Sequence, residues 1–315
     1  MKKCFMMGLV LALLLTALNG CGAAKEEMKT NDRDSLKIVT TVFPVYDWTK
    51  NLLGDQASAH TLQLLLKDGV DMHSFQPSVS DLATVSSCDL LIYIGGESEE
   101  WIEDALQERQ NPDMRVLRLL DVLGERALQE ELAEGMEGEA EDETDEHVWL
   151  SIQNAELLCE AICDTLKELD GAHARSYDAA CAAYCVKLQE LDAAYRKCVD
   201  NAKHHCLIFA DRFPFRYLVE DYGLEYYAAF AGCSAETEAS FNTVIFLANK
   251  LDELGLGSVC VIENSDGKLA HTVVENAGNQ DVAIVTLHSM QSMVGEESYL
   301  SLSEKNLEAL REALN

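Results

Sequence analysis

The sequence predicts an α/β protein: two parallel-sheet α/β lobes bridged by a long α-helix. Three observations lead there. Short strand-like apolar runs alternate with helix-period runs over residues 36–120 and again over 206–314, and such alternation builds parallel sheets. Between the blocks Tyr177, Cys181, Tyr184, Leu188, Leu191, Tyr195 and Cys198 recur at spacings of 4, 3, 4, 3, 4 and 3, one apolar stripe on a long helix. The 315 residues are 48% hydrophobic with 4 prolines, which supplies a sizeable core and excludes a disordered or collagen-like chain.

In the first block strands are expected over 36–41, 59–65, 90–94 and 114–120. Helices are expected over 46–53, from about 79, and over 99–107, the second opened by Ser78 with Asp81 completing a pair that resembles a capping box. In the second block strands are expected over 206–210, 226–230, 258–262 and 282–287, with helices over 215–222, 243–254, 269–276 and 303–314. The lobes are placed at 36–169 and 204–315, with the linking helix at 170–203. Its stripe suits packing against both lobes of one chain, so a monomer with a stiff connection is expected rather than a coiled-coil dimer.

The N-terminus reads as an address. Lys2 and Lys3 precede an apolar run over 5–18 that is short for a membrane span, the pattern of a secretion signal. Leu18-Asn19-Gly20-Cys21 resembles the lipobox of bacterial lipoproteins, although Asn19 stands where a small residue is usual. That resemblance implies a signal peptide over 1–20, lipid on Cys21 and a polar tether over 21–35. The protein would then sit on the extracytoplasmic face of the bacterial cell membrane. The net charge of −31 argues against nucleic acid as a partner, since phosphate would be repelled.

Eleven cysteines become nine once Cys4 is removed and Cys21 is lipidated, an odd number that cannot all pair. No CxxC occurs, so a four-thiolate zinc site is not expected, and the thiols read as small core residues. Residues 130–146 hold ten acids among seventeen, the composition of a mobile solvated loop. A cation-collecting antenna is the functional alternative.

In open parallel sheets ligands bind where loops leave the carboxyl ends of strands. His73 follows the expected strand over 59–65, Asp211 and Arg212 follow that over 206–210, and His288 follows that over 282–287. His147 closes the acidic run. Imidazoles with a carboxylate are donors that zinc takes in tetrahedral coordination, whereas manganese favours more oxygen. His60, His173, His204, His205 and His271 read as ordinary surface or core residues.

Several motifs occur in one order: Thr41-Val42-Phe43-Pro44, His73-Ser74-Phe75-Gln76-Pro77 with Asp81-Leu82, His147-Val148-Trp149-Leu150, and Phe215-Arg216-Tyr217-Leu218 with Tyr222-Gly223-Leu224. From residue 36 onward the chain thereby resembles the solute-binding proteins of zinc and manganese ABC importers. The resemblance implies two lobes on a rigid helix, one metal in the cleft, delivery to an ABC permease, and no catalysis. Its first two ligands carry over to His73 and His147. Its third falls on Arg212, which cannot ligate; Asp211 is the expected substitute, with Glu236, Glu238 and Glu263 as further oxygen donors and Arg212 supporting Glu236 or Glu238. Its fourth, generally a carboxylate, falls on His288. Three imidazoles with a carboxylate or water favour Zn2+ over Mn2+, with affinity falling as pH drops through the histidine range.

Two rival readings share the residues. Arg212 suits a surface lipoprotein that binds a metal chelate, an anionic ligand or a host molecule on the same scaffold. Three imidazoles plus water would suit a secreted zinc hydrolase, but neither HExxH nor Gly-x-Ser-x-Gly occurs.

Overall fold

The computed structural model describes residues 35–67, 69–137, 143–232, 239–291 and 295–315; the expected signal peptide, Cys21, Glu236 and Glu238 lie outside the described residues. The first lobe runs β1 (Lys37–Thr40), α1 (Phe43–Leu53), β2 (Thr61–Leu64), α2 (Val79–Ser87), β3 (Leu90–Tyr93), α3 (Trp101–Gln107), β4 (Arg115–Arg118) and α4 (Leu119–Leu123). A helical hairpin follows, α5 (Ile152–Leu169) and α6 (Ala174–Asp200). The second lobe runs β5 (Cys206–Phe213), α7 (Arg216–Tyr222), β6 (Glu225–Ala231), α8 (Phe241–Leu254), β7 (Ser258–Ile262), α9 (Lys268–Asn276), β8 (Ala283–Leu287) and α10 (Tyr299–Ala313).

Both sheets are wholly parallel, ordered β2-β1-β3-β4 and β6-β5-β7-β8. In each the chain steps outward from its first strand, then returns across it, so the strand order reverses beside β1 and beside β5. Crevices open at the carboxyl ends of strands at such points.

Local chemistry accounts for where expected and observed bounds part. Ser78 and Asp81 do form a reciprocal capping box on α2. Helix α1 begins at Phe43 because Pro44, with its fixed φ, suits the first turn. Helix α10 begins at Tyr299, where Ser298 and Ser301 cap each other. Strand β5 continues beyond residue 210 through a register shift between Phe209 and Arg212. Asp211 and Arg212 therefore sit on a bulged strand, not in a loop after it.

All seven stripe residues of α6 are buried. The helix packs on α1 and α5 on one side and on α10 on the other, and Tyr195 Oη–H donates to Ser303 O at 2.6 Å. Its first turn is held by a buried relay. Leu36 N–H donates to His60 Nδ1 at 3.1 Å, His60 Nε2 faces Tyr177 Oη at 2.9 Å, and Tyr177 donates to Asp170 at 2.6 Å. His60 is thus a core residue, as expected. The lobes are also stitched directly: Trp149 Nε1–H donates to Ser289 O at 2.7 Å, and Tyr299 Oη–H to Trp149 O at 2.7 Å.

The acidic segment is tied to the fold where it is described. Its described ends pair across an antiparallel bridge, with Glu130 N–H donating to Glu143 O at 2.8 Å and Asp145 N–H to Leu128 O at 2.9 Å. Glu137 N–H donates to Ala229 O of β6 at 2.9 Å, and Arg216 pairs with Glu131 at 3.1 Å. Backbone pairing to the second lobe outweighs the charge repulsion that the composition implies. Among the described residues eight cysteines are buried thiols, and no helix is long and apolar enough to cross a membrane.

Glu99 gives the fold a measurable pH dependence. Burial pushes its carboxyl from 4.5 up to about 7, with Glu146 adding to the rise and the Gly95 N–H opposing it. The unfolded carboxyl loses its proton near 4.5 while the folded one keeps it to about 7. Stability is therefore full below that window and falls through it, by about 3 kcal/mol at one pKa unit per 1.4 kcal/mol. Glu99→Gln retains an acceptor for Gly95 and should remove most of the fall in urea midpoints between pH 5 and pH 8. An unchanged fall would show that Glu99 does not carry it.

Candidate functional site

His73 lies in a short 3-10 turn, Met72–Ser74, after β2, and Asp71 caps that turn by accepting the His73 N–H at 3.0 Å. His147 precedes another such turn, Val148–Leu150, and is fully buried. Tyr217 fastens this approach: its hydroxyl donates to Asp145 O at 2.8 Å and accepts the Leu128 N–H at 3.0 Å. The two imidazoles meet with Nε2 atoms 3.2 Å apart, ring centroids at 5.1 Å.

Each ring is backed by a carboxylate on its far nitrogen. Asp145 Oδ1 accepts from His147 Nδ1 at 2.9 Å and from the His147 N–H at 2.8 Å, which leaves Nε2 with a lone pair. His73 Nδ1 lies 2.8 Å from Ser98 Oγ and 3.6 Å from Glu146 Oε2. Glu146 Oε1 accepts the Ser98 N–H at 2.7 Å, but its Oε2 is buried without a hydrogen-bond partner. A cation on His73 Nε2 would move that ring's proton to Nδ1, within 2.8 Å of Ser98 Oγ, and the Glu146 carboxylate at 3.6 Å would offset the ring's positive charge. Gly96 makes this approach possible, since a Cβ there would meet Glu146 Oε1 at 2.1 Å.

The surroundings push the two rings in opposite directions. Burial, then the neighbouring His147 and Arg212, hold the His73 imidazolium down to about 3 despite Asp71. Burial disfavours the charged form of His147 too, but Asp145, Glu146 and Glu130 outweigh it and raise that ring above its ordinary value. For zinc, Zn–N bonds of about 2.0–2.1 Å in tetrahedral geometry put two nitrogens about 3.3 Å apart. The observed 3.2 Å spacing fits that edge.

The other expected ligands do not join the pair. Among the described residues no third His, Cys, Asp or Glu forms a close donor group with His73 and His147. His288 is pinned by its backbone to α10, donating to Asn306 Oδ1 at 2.7 Å and accepting from Asn306 Nδ2 at 2.9 Å. Asp211 spends its carboxylate on strand ends, accepting the Arg212 N–H at 2.8 Å and the Ile262 N–H at 3.4 Å. Arg212 pairs with Asp71 at 2.8 Å, which bridges the two lobes.

Glu263 accepts from Ser289 N–H at 2.6 Å, Ser289 Oγ–H at 2.8 Å and Met290 N–H at 3.2 Å. Those bonds hold Met290 at φ 58, a left-handed conformation that costs a β-carbon about 1–2 kcal/mol. They deliver the next residue, Gln291, whose amide nitrogen lies 3.1 Å from His147 Nε2. A 180° turn of that amide presents Oε1 instead. Gln291 carries no strand-end signal, and Asp145 and Glu146 were hidden in a run of ten acids. Ser98 likewise had no motif to mark it.

Residues 38–313 match the family described as zinc-uptake complex component A, periplasmic, ZnuA. The chain belongs to this family. The zinc-binding lipoprotein AdcA of Streptococcus pneumoniae is 31% identical over 285 residues, 88% of this chain and 55% of its own length. The chain spans about half the length of the curated relatives it matches first. A crystal structure of the Zn(II)-bound ZnuA-like domain of Streptococcus pneumoniae AdcA superposes with a TM-score of 0.72 at 29% identity, covering 89% of this chain and 99% of that one. The metal-dependent lipoprotein YcdH of Bacillus subtilis does so with a TM-score of 0.73 at 26% identity, covering 89% and 99%. The family accounts for the two-lobe fold on its long helix.

Proposed function

We propose that this chain captures Zn2+ outside the cytoplasm and delivers it to an ABC permease, with His73 and His147 as imidazole ligands and Mn2+ as the less favoured cargo. The observation that carries the reading is the pair of buried Nε2 atoms 3.2 Å apart, one ring bonded to Asp145 and the other beside the unpartnered oxygen of Glu146. The Gln291 carbonyl oxygen and water complete the coordination. Ligands divided between lobes suit a carrier, because a small shift of the Ser289–Gln291 turn removes one donor without unfolding either lobe. The relatives support the cargo: AdcA is named zinc-binding, and its ZnuA-like domain is Zn(II)-bound. In this reading the chain is a carrier and not an enzyme, held at the membrane by lipid on Cys21.

Zinc titration of the purified chain, with manganese in parallel, tests this. Binding of one zinc more tightly than about 1 μM is expected; failure of both metals to reach that affinity removes the reading. Gln291→Glu should tighten zinc by about tenfold or more, about 1.4 kcal/mol, because it places an anionic oxygen against the ion. Unchanged affinity would exclude Gln291 from the coordination.

A second reading has its own observation. A cavity of about 830 Å³ adjoins the pair, lined by Asp71, Arg212, Glu263, Lys268 and Gln291. That volume and the guanidinium suit zinc arriving with a small carboxylate chelator, which would replace the water ligands. Tighter zinc binding with such a chelator present than without would favour it.

A further inference from the structure

The helical hairpin carries a second donor set that the cleft does not use. On α5, Glu156 and Glu160 stand one turn apart, and on α6 Cys181 and Cys185 do the same, so each pair projects from a single face. The antiparallel packing sets these faces against each other. Lys167 meets Asp178 at 2.6 Å near the turn, and Gln189 Nε2–H donates to Glu156 Oε1 further along. Between those two rungs, one carboxylate oxygen each of Glu156 and Glu160 and the Sγ of Cys185 lie within 4.8 Å of one another.

A second thiol stands beside this group rather than within it: Cys181 Sγ–H donates to Cys159 O at 3.9 Å. Cys181 Sγ is 3.8 Å from Cys185 Sγ. Metal–sulfur bonds of about 2.3 Å in a tetrahedral site separate two thiolates by about 3.8 Å. Both cysteines are 7% exposed, so a metal bound there would be shielded on its sulfur side and reached from the glutamate side. Gln189, one turn beyond Cys185, already orients Glu156 as an outer partner would.

We propose that Glu156, Glu160 and Cys185 form a second metal site, completed by Cys181 on binding, for a borderline-to-soft divalent ion of the zinc or cadmium type. Thiolate sulfur selects against magnesium, calcium and manganese, and the paired carboxylates supply the remaining charge. Binding converts two thiols to thiolates and releases two protons to solvent. The site shares no residue with the His73–His147 pair and stands whether or not that pair carries zinc for import.

The test uses the whole chain with His73→Ala and His147→Ala, so that the cleft pair does not compete. Cadmium is added and the thiolate-to-cadmium charge-transfer absorbance followed. One equivalent is expected to saturate the band, and Cys181→Ser with Cys185→Ser to abolish it. Glu156→Gln with Glu160→Gln, at half-buried and exposed positions, should weaken binding by at least about tenfold. Absence of the band, its survival without the two cysteines, or a titration unmoved by the glutamine pair overturns the site.

Discussion

Replacing His147 with alanine should weaken zinc binding by more than the roughly 10–100-fold that loss of a mere supporting partner costs. The ring is wholly buried, its Nδ1 is committed to Asp145, and its Nε2 faces both His73 and Gln291. Alanine leaves a metal with one protein imidazole and strands Asp145 as a buried carboxylate. His73→Ala should behave alike, since it removes the other half of the 3.2 Å pair. His173→Ala, His288→Ala and Asp211→Ala should change affinity by less than about twofold, because none of these side chains meets the pair. Competition against a chromophoric chelator reads all five. A loss for His288→Ala equal to that for His147→Ala would place the ion elsewhere.

Trp149→Ala should cost the fold about 3–5 kcal/mol, the range for deleting a buried aromatic ring. Trp149 is completely buried, its indole N–H is the direct bond from the first lobe to Ser289 O, and its ring lies edge-on to His147 with centroids 5.4 Å apart. Alanine opens a cavity between the lobes and leaves the Ser289 carbonyl unpaired beside the turn that carries Gln291. The loss should therefore appear twice, as a lower urea midpoint and as weaker zinc binding in the variant that remains folded. Trp149→Phe should recover most of the stability and less of the affinity, since it restores packing but not the bond to Ser289. Equal recovery of both would show that the hydrogen bond does not position the site.

The fold was legible in the chain to a large degree. Strand and helix periods, the 4-3 stripe and the Ser78–Asp81 pair are local signals, and local geometry obeyed them. The bounds that moved did so for reasons of wider context: a bulge carried β5 through Asp211 and Arg212, and backbone pairing to β6 captured Glu137 from an acidic run that reads as solvated. Of the expected ligands, His73 and His147 meet, while Asp211 and His288 serve backbone anchoring. Arg212 reaches Asp71, and Glu263 shapes the turn before Gln291.

Periodicity and residue chemistry alone determined the two parallel lobes and the long linking helix, because each is written in spacings of a few residues. Only the tertiary structure decided which carboxylates back the two imidazoles, that Gln291 rather than His288 faces them, and that two glutamates of α5 meet Cys185 of α6. Those choices depend on which side chain a distant backbone leaves unsatisfied, and no stretch of neighbouring residues records that.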